Sequence, residues 1–309
     1  VKLVAVTALW RRLPLAKLMI ERLTRQGVQV VAAGSEGEAS RSVALAAGAD
    51  YIEVTNNPLG AKWNAAARFA KEHKPDGIVI LGSDDFVSDG LVAAWQRELD
   101  SHAYTGLLDI LFFQPASGGL VHWHGYRDER QGETIGASRC LRSDVLDRIG
   151  WRPWPDTVER GLDRAMTARL CEHECASPWT STMTDDAWHV DVKTAVGICS
   201  YDNFLRGATT VSAPQAKLDR LFGAGFHAAV VEADLVVRDE ESRRPPDAVE
   251  HRPRRHRYAP GPRIVCAWCN EPMVAVDSPS GHEDHQHVRC TTCSPPWWRG
   301  CVTILMEPM

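Results

Sequence analysis

Nowhere does the chain contain eighteen consecutive apolar residues, so it offers no candidate membrane-spanning helix. The opening segment Val1-Lys2-Leu3-Val4-Ala5-Val6 is too short and wrongly flanked to act as a secretory signal, which makes the cytoplasm the expected compartment. No strong charge of one sign is present either: the 309 residues sum to −5 at pH 7, so the chain as a whole is not built to bind a polyanion. Internal repeats are absent. The first predicted strand runs into Thr7-Ala8-Leu9-Trp10-Arg11-Arg12 instead of G-x-G-x-x-G, which disfavours a dinucleotide dehydrogenase. The nine cysteines are an odd number, and Cys140, Cys171, Cys175, Cys199 and Cys301 show no framework spacing, as expected in a reducing compartment.

The remaining four cysteines carry the most specific spacing in the chain. Cys266-Ala-Trp-Cys269 and Cys290-Thr-Thr-Cys293 are two Cys-x-x-Cys knuckles, and pairing them closes a tetrahedron of thiolates around Zn2+. Such an ion replaces the core that so short a segment cannot supply, whereas two disulfides or four unrelated thiols would be the other uses of these residues. Just before the knuckles, Arg243-Arg244 and His251-Arg252-Pro253-Arg254-Arg255-His256-Arg257 form a basic, proline-bearing stretch. The expected organisation is a catalytic domain over 1–237, a basic linker over 238–262 and a four-cysteine module over 263–309.

With 44% hydrophobic residues, the first segment can fill one large α/β core. Residues 2–8, 28–33, 51–54 and 77–81 read as strands. They alternate with helices that open at Pro14, run to about Ala47, and span about 61–73. Leu15, Leu18, Met19 and Leu23 share one helical face, while Gly77-Ile78-Val79-Ile80-Leu81 is apolar throughout, as a central parallel strand should be. That succession predicts an open, mostly parallel sheet with helices on both faces. Further strands are expected at 107–113 and 120–126, and further helices near 142–149, 159–172 and 213–223.

The fourth strand ends in Ser83-Asp84-Asp85, where ligands bind in such sheets. Two ionised carboxylates after a buried strand must be solvated or paired, and together they suit Mg2+ or Mn2+ with the phosphates of a nucleotide diphosphate. A solvated turn is the plain alternative, since Ser88 or Asp89 already caps the next helix.

The stretch Asn56-Asn57-Pro58-Leu59-Gly60-Ala61-Lys62-Trp63-Asn64 to Arg68, followed by Gly77 through Ser88, resembles the N-terminal half of family-two-like glycosyltransferases with the GT-A fold, a Rossmann-like α/β architecture. The resemblance covers roughly residues 1–210. It implies that Thr7 lines the nucleotide pocket with Ser83, that Lys62 faces the base or phosphates, that Asp84 faces the ribose or sugar and that Asp85 binds the metal. Arg148-Ile149-Gly150-Trp151-Arg152-Pro153-Trp154 looks like the Gly-Gly-Phe-like turn of that family. The Glu-Asp pair that follows it there is replaced by Glu159-Arg160-Gly161-Leu162-Asp163-Arg164. Asp163 is then the best match to the catalytic base, with Glu159 and Asp156 as fallbacks. Read without the family, Glu159 and Asp163 could equally be a charge network on one helical face.

Alternation in Trp188-His189-Val190-Asp191-Val192-Lys193 puts His189, Asp191 and Lys193 on one face of a strand, and the resemblance makes His189 a late ligand of the same cation. His122 and His124 alternate likewise and are expected on the acceptor side, while Cys171 and Cys175 lie one helical turn apart without evident partner ligands. Eleven tryptophans are many for this length. Trp123, Trp151, Trp154, Trp179 and Trp188 fall where acceptors bind in this fold, and Trp268, Trp297 and Trp298 accompany the basic stretch. The whole is similar to phage-type enzymes that add sugars to hydroxymethylated DNA bases. That would make a modified base the acceptor and the host cytoplasm the compartment. Three functions remain on the sequence: a metal-dependent glycosyltransferase using a nucleotide-diphosphate sugar, which is favoured; a nucleotidyltransferase on a related sheet; or a non-catalytic zinc-ribbon adaptor.

Overall fold

The computed structural model describes residues 1–173, 179–181, 183–184, 186–197, 199–244, 274–276 and 287–289. The chain divides into two units, Val1–Arg244 and Pro245–Met309. Cys266, Cys269, Cys290, Cys293, Cys175, Cys301, the arginines from Arg252 to Arg257 and Trp268, Trp297 and Trp298 lie outside the described residues.

The first unit begins β1 (Leu3–Ala8), α1 (Leu13–Arg25), β2 (Gln29–Gly34), α2 (Glu38–Ala46), β3 (Asp50–Glu53), α3 (Leu59–Ala70) and β4 (Gly77–Ile80). It continues with β5 (Asp85–Val87), α4 (Asp89–Glu98), β6 (Tyr104–Leu107), β7 (Ile110–Gln114), β8 (Gly119–Trp123), β9 (Cys140–Arg142) and α5 (Ser143–Arg148). It ends with α6 (Leu162–Glu172), β10 (Trp179–Ser181), β11 (His189–Val192), α7 (Asp202–Leu205), β12 (Ala208–Thr210), α8 (Pro214–Phe222) and α9 (Phe226–Ser242). In the second unit, β13 (Val274–Val276) and β14 (His287–Arg289) pair antiparallel.

Seven strands form the main sheet in the order β10-β6-β9-β4-β1-β2-β3, and β9 alone among them runs against its neighbours. This is the mostly parallel α/β sheet expected from the sequence. Its central strands are apolar on both faces because both faces are covered. Leu3 and Ala5 of β1, Val30 and Ala32 of β2 and Val79 of β4 enter one core with Leu15, Met19 and Leu23 of α1. Val4, Val6, Val31, Ala33, Ile78 and Ile80 alternate onto the opposite core, against Ala66, Ala67 and Ala70 of α3 and Val145 of α5. Pro14 stands in the first turn of α1, where a missing N–H costs nothing. Ser88 caps α4 by accepting from Leu91 N at 3.4 Å.

A second sheet, β12-β8-β7-β11-β5, departs from the plain reading of the later chain. The single strand expected over 107–113 is two, β6 and β7, broken by a turn at Leu108-Asp109 that moves the chain from one sheet to the other. The helix expected from 159 starts only at Leu162, so Glu159 precedes it and the single helical face carrying Glu159 and Asp163 does not form. The helix near 213–223 is not the last of this unit: α9 follows and runs through residue 238 to Ser242. Among the described residues no helix is long and apolar enough to cross a membrane.

Trp154 joins the turn after α5 to the core. It is fully buried, packs on Trp63 with ring centroids 5.6 Å apart, and its indole N–H donates to Leu162 O at 3.1 Å. Trp154→Ala is expected to lower stability by roughly 3–5 kcal/mol, measured by urea unfolding monitored by circular dichroism; a loss below about 1 kcal/mol would contradict this packing.

Candidate active site

β4 delivers its chain end to the turn Gly82-Ser83-Asp84, after which β5 pairs antiparallel with β11. The register sets Asp191 directly opposite Asp85 and His189 opposite Val87. Directly opposed residues share a face, and a diagonal neighbour stays within reach of a long side chain. That ladder gathers three carboxylates: oxygens of Asp84, Asp85 and Asp191 all lie within 4.8 Å of one another. Gly82 makes room for them, since a Cβ there would stand 2.8 Å from Asp84 Oδ1 and 3.0 Å from Asp85 Oδ2. Its N–H donates to Asp85 Oδ2 at 2.5 Å.

The cluster is enclosed: Asp84 is 7% and Asp85 3% exposed. Buried carboxylates need compensation, and each has a partner of its own. Asp84 pairs with Arg12 from the loop after β1. Asp85 Oδ1 meets His189 Nε2 at 2.8 Å, while His189 Nδ1 is engaged by the Ser138 hydroxyl, so both imidazole nitrogens are occupied. Asp191 Oδ2 lies 2.6 Å from Lys193 Nζ, and Asp191 Oδ1 is buried without a hydrogen bond. Burial raises the Asp84 carboxyl above its ordinary value despite Arg12. For Asp85 burial pulls the same way, but the charge and hydrogen bond of His189 and the Gly82 N–H outweigh it and hold the carboxyl low. Asp191 is pushed up to about 7 by burial and by Asp84 and Asp85, against the pull of Lys193. Burial would lower Lys193, yet Asp191 and Asp84 keep it above the usual lysine value.

Thr7, at the end of β1, and Ser83 are both buried, and each hydroxyl oxygen lacks a hydrogen-bond partner among the described residues. Lys62 is fully buried in α3, and its ammonium donates to Leu9 O at 2.6 Å, Ser35 Oγ at 2.9 Å and Asn56 Oδ1 at 3.0 Å. One cation thus pins the loops after β1, β2 and β3 at the carboxyl edge of the sheet.

Asp163 stands in the first turn of α6. Its Oδ2 accepts from the Tyr126 hydroxyl and from Gly136 N at 3.2 Å, and a Cβ on Gly136 would come within 1.8 Å of Oδ1. Of the fallbacks, Glu159 is exposed, and Asp156 accepts from Asn64 Nδ2 at 2.7 Å as part of the clasp between α3 and Trp154. Tyr126 has no sequence signal. Burial and the Asp163 charge raise its phenol, Arg130 lies 3.4 Å over its ring, and it helps line a cavity of about 550 Å³ with Leu108, His124, Arg127, Gln131 and Glu133. His122 pairs with Asp109 at 2.6 Å and His124 with Thr209 Oγ1 at 2.8 Å.

No family model matches the chain, and no curated protein matches it. Among solved structures, the chain is similar to S. aureus TarS 1-349 in complex with UDP, at 12% identity and a TM-score of 0.44 over 63% of this chain and 61% of that one. It is also similar to 4-diphosphocytidyl-2C-methyl-D-erythritol synthase, at 10% identity and a TM-score of 0.38 over 60% of this chain and 89% of that one. The chain thus spans less than two thirds of the TarS structure's length.

The raised Asp191 carboxyl has a consequence for stability. Between its ordinary value of 3.8 and about 7 the unfolded chain gives up this proton first, so stability declines as pH rises through that window. Asp191→Asn, in EDTA, is therefore expected to melt higher than wild type at about pH 8 and alongside it at about pH 4. Equal melting temperatures at both pH values would contradict the crowding of the three carboxylates.

Proposed function

We propose that the protein is a glycosyltransferase that binds a nucleotide-diphosphate sugar at the carboxyl edge of β1 and β4 and passes the sugar to an acceptor hydroxyl. The observation that carries this reading is the cluster in which the buried Asp84 and Asp85, beyond the end of β4, meet the part-buried Asp191 of β11. The two partnerless buried hydroxyls of Thr7 and Ser83 come from those same strand ends. The donor set is all carboxylate oxygen, and Asp191 Oδ1 is unused, which fits Mg2+ or Mn2+. Asp84, Asp85 and Asp191 would hold the ion, and when bound it supplies positive charge to offset the departing diphosphate.

The chain's own groups supply the rest. Thr7 and Ser83 offer hydroxyls to the nucleotide, and His189 orients Asp85 from behind through its 2.8 Å contact. Lys62 keeps the three strand-end loops in register beneath the donor. Asp163 takes the proton of the attacking acceptor hydroxyl, its carboxylate held by the Gly136 N–H and the Tyr126 hydroxyl. The cavity that Tyr126 lines with His124, Arg127, Gln131 and Glu133 is mostly polar and would take an acceptor next to the tyrosine that holds that carboxylate.

The finer parts of the reading rest on the sequence. Cys266, Cys269, Cys290 and Cys293 would hold one Zn2+ in a module after a basic linker. Arginines and tryptophans around that module would favour nucleic acid, with a hydroxymethylated base as acceptor.

Isothermal titration tests the central reading. Wild type is expected to bind UDP, or another nucleoside diphosphate, with a Kd at least about tenfold lower in Mn2+ than in EDTA, and Asp85→Ala to lose that gain. A preference for nucleoside triphosphate would instead indicate a nucleotidyltransferase, although Leu9-Trp10-Arg11-Arg12-Leu13 lacks the glycines of a triphosphate-cradling loop. Binding indifferent to both metal and Asp85 would leave a non-catalytic adaptor. For the C-terminal module, elemental analysis is expected to find one tightly held zinc per chain, and a value well below one removes the four-thiolate site.

A further inference from the structure

The three carboxylates are matched one to one by Arg12, His189 and Lys193, and these partners are not equally fixed. His189 is clamped through both ring nitrogens, by Asp85 and Ser138. Arg12 approaches Asp84 from the loop after β1, which the buried Lys62 ties down through Leu9 O. Lys193 differs. Past the end of β11, its ammonium has Asp191 Oδ2 at 2.6 Å, feels the charges of Asp84 and Asp85, and lies by the rings of Phe112 and Phe204, at 4.8 and 5.0 Å. Ring faces attract a cation without fixing its direction, and lysine is a point charge on a flexible four-carbon stem. Its side chain is 11% exposed and that of Arg12 16%, so what sets Lys193 apart is its flexible stem and not its exposure.

A divalent ion reaching Asp191 would meet this ammonium on the same carboxylate, where two cations repel strongly at low effective dielectric. We propose that Lys193 is the exchangeable cation of the site: it neutralises Asp191 when no metal is bound, gives way when a divalent ion binds, and then serves an oxygen of the nucleotide diphosphate. This rests on the metal-site reading above and adds to it a residue with two opposed effects. Removing Lys193 strengthens metal binding and weakens diphosphate binding, a pair of signs that a merely structural lysine does not produce. The sequence pattern carried the hint, since alternation sets Lys193 on the face of His189 and Asp191.

The test uses the full chain. Mn2+ affinity is read from the electron paramagnetic resonance of free Mn2+, and UDP affinity by titration at saturating Mn2+, for wild type, Lys193→Met and Lys193→Arg, with thermal melts to verify folding. Lys193→Met is expected to bind Mn2+ at least about tenfold more tightly and UDP about tenfold more weakly than wild type. Lys193→Arg should keep UDP binding but hold Asp191 in a bidentate grip, weakening Mn2+ several-fold. The arginine variant therefore decides the matter even where the methionine variant does not fold. Wild-type Mn2+ affinity in both variants overturns the exchange while leaving the metal site standing. A wild-type chain that takes up no Mn2+ at all overturns the metal-site reading, and the exchange with it.

Discussion

Three carboxylates whose oxygens lie within 4.8 Å of one another cannot remain charged inside a protein unless something answers their mutual repulsion and their loss of water. Here the answer is a set of three side chains from three places in the sequence. Arg12 comes from the first strand-to-helix loop, His189 from the start of β11 and Lys193 from just past its end. The compensation is incomplete. Among the described residues Asp191 Oδ1 has no hydrogen bond, and the Asp191 carboxyl is raised to about 7, so the three carboxylates could take a further cation.

The sheet architecture decides where that cost is placed. β4 is apolar on both faces and buried, and beyond its end Gly82 leaves the room that the two aspartate side chains occupy. The antiparallel ladder between β5 and β11 adds the third carboxylate through register alone, because a one-residue slip would send Asp191 to the other face of the strand. Lys62 performs a parallel task from below by binding one acceptor from each of three loops. Asp163 is placed by different means. The bare backbone of Gly136 lets its carboxylate approach an N–H, and Tyr126 closes the other side.

Much of this was legible in the residues. The α/β order, the central strand and the acidic tip follow from local patterns: continuous apolar runs, Pro14 at a helix start and Ser88 at a cap. The alternation of His189, Asp191 and Lys193 was visible as well. What alternation cannot reveal is which strand lies opposite, so the sequence pointed to His189 as ligand but not to Asp191, which the ladder sets opposite Asp85 while His189 Nε2 lies 2.8 Å from Asp85 Oδ1. Lys62 was read as facing the nucleotide. Its chemistry as a buried cation with three acceptors depends on loops that are distant in sequence, and no local signal contains them. Tyr126 and Gly136 escaped for the same reason, lying 37 and 27 residues from Asp163. The split of 107–113 into β6 and β7 turned on Asp109, a polar residue inside an apolar run whose side chain accepts from Met183 N at 2.7 Å.

Crystals soaked with Mn2+ and UDP, with data collected at a wavelength where manganese scatters anomalously, would test the account most directly. It predicts one anomalous peak about 2.1–2.2 Å from carboxylate oxygens of Asp85 and Asp191, with the diphosphate completing the ion's coordination. Diphosphate density elsewhere on the chain, or a cleft in which Lys193 still holds Asp191 and no anomalous peak appears, would contradict it.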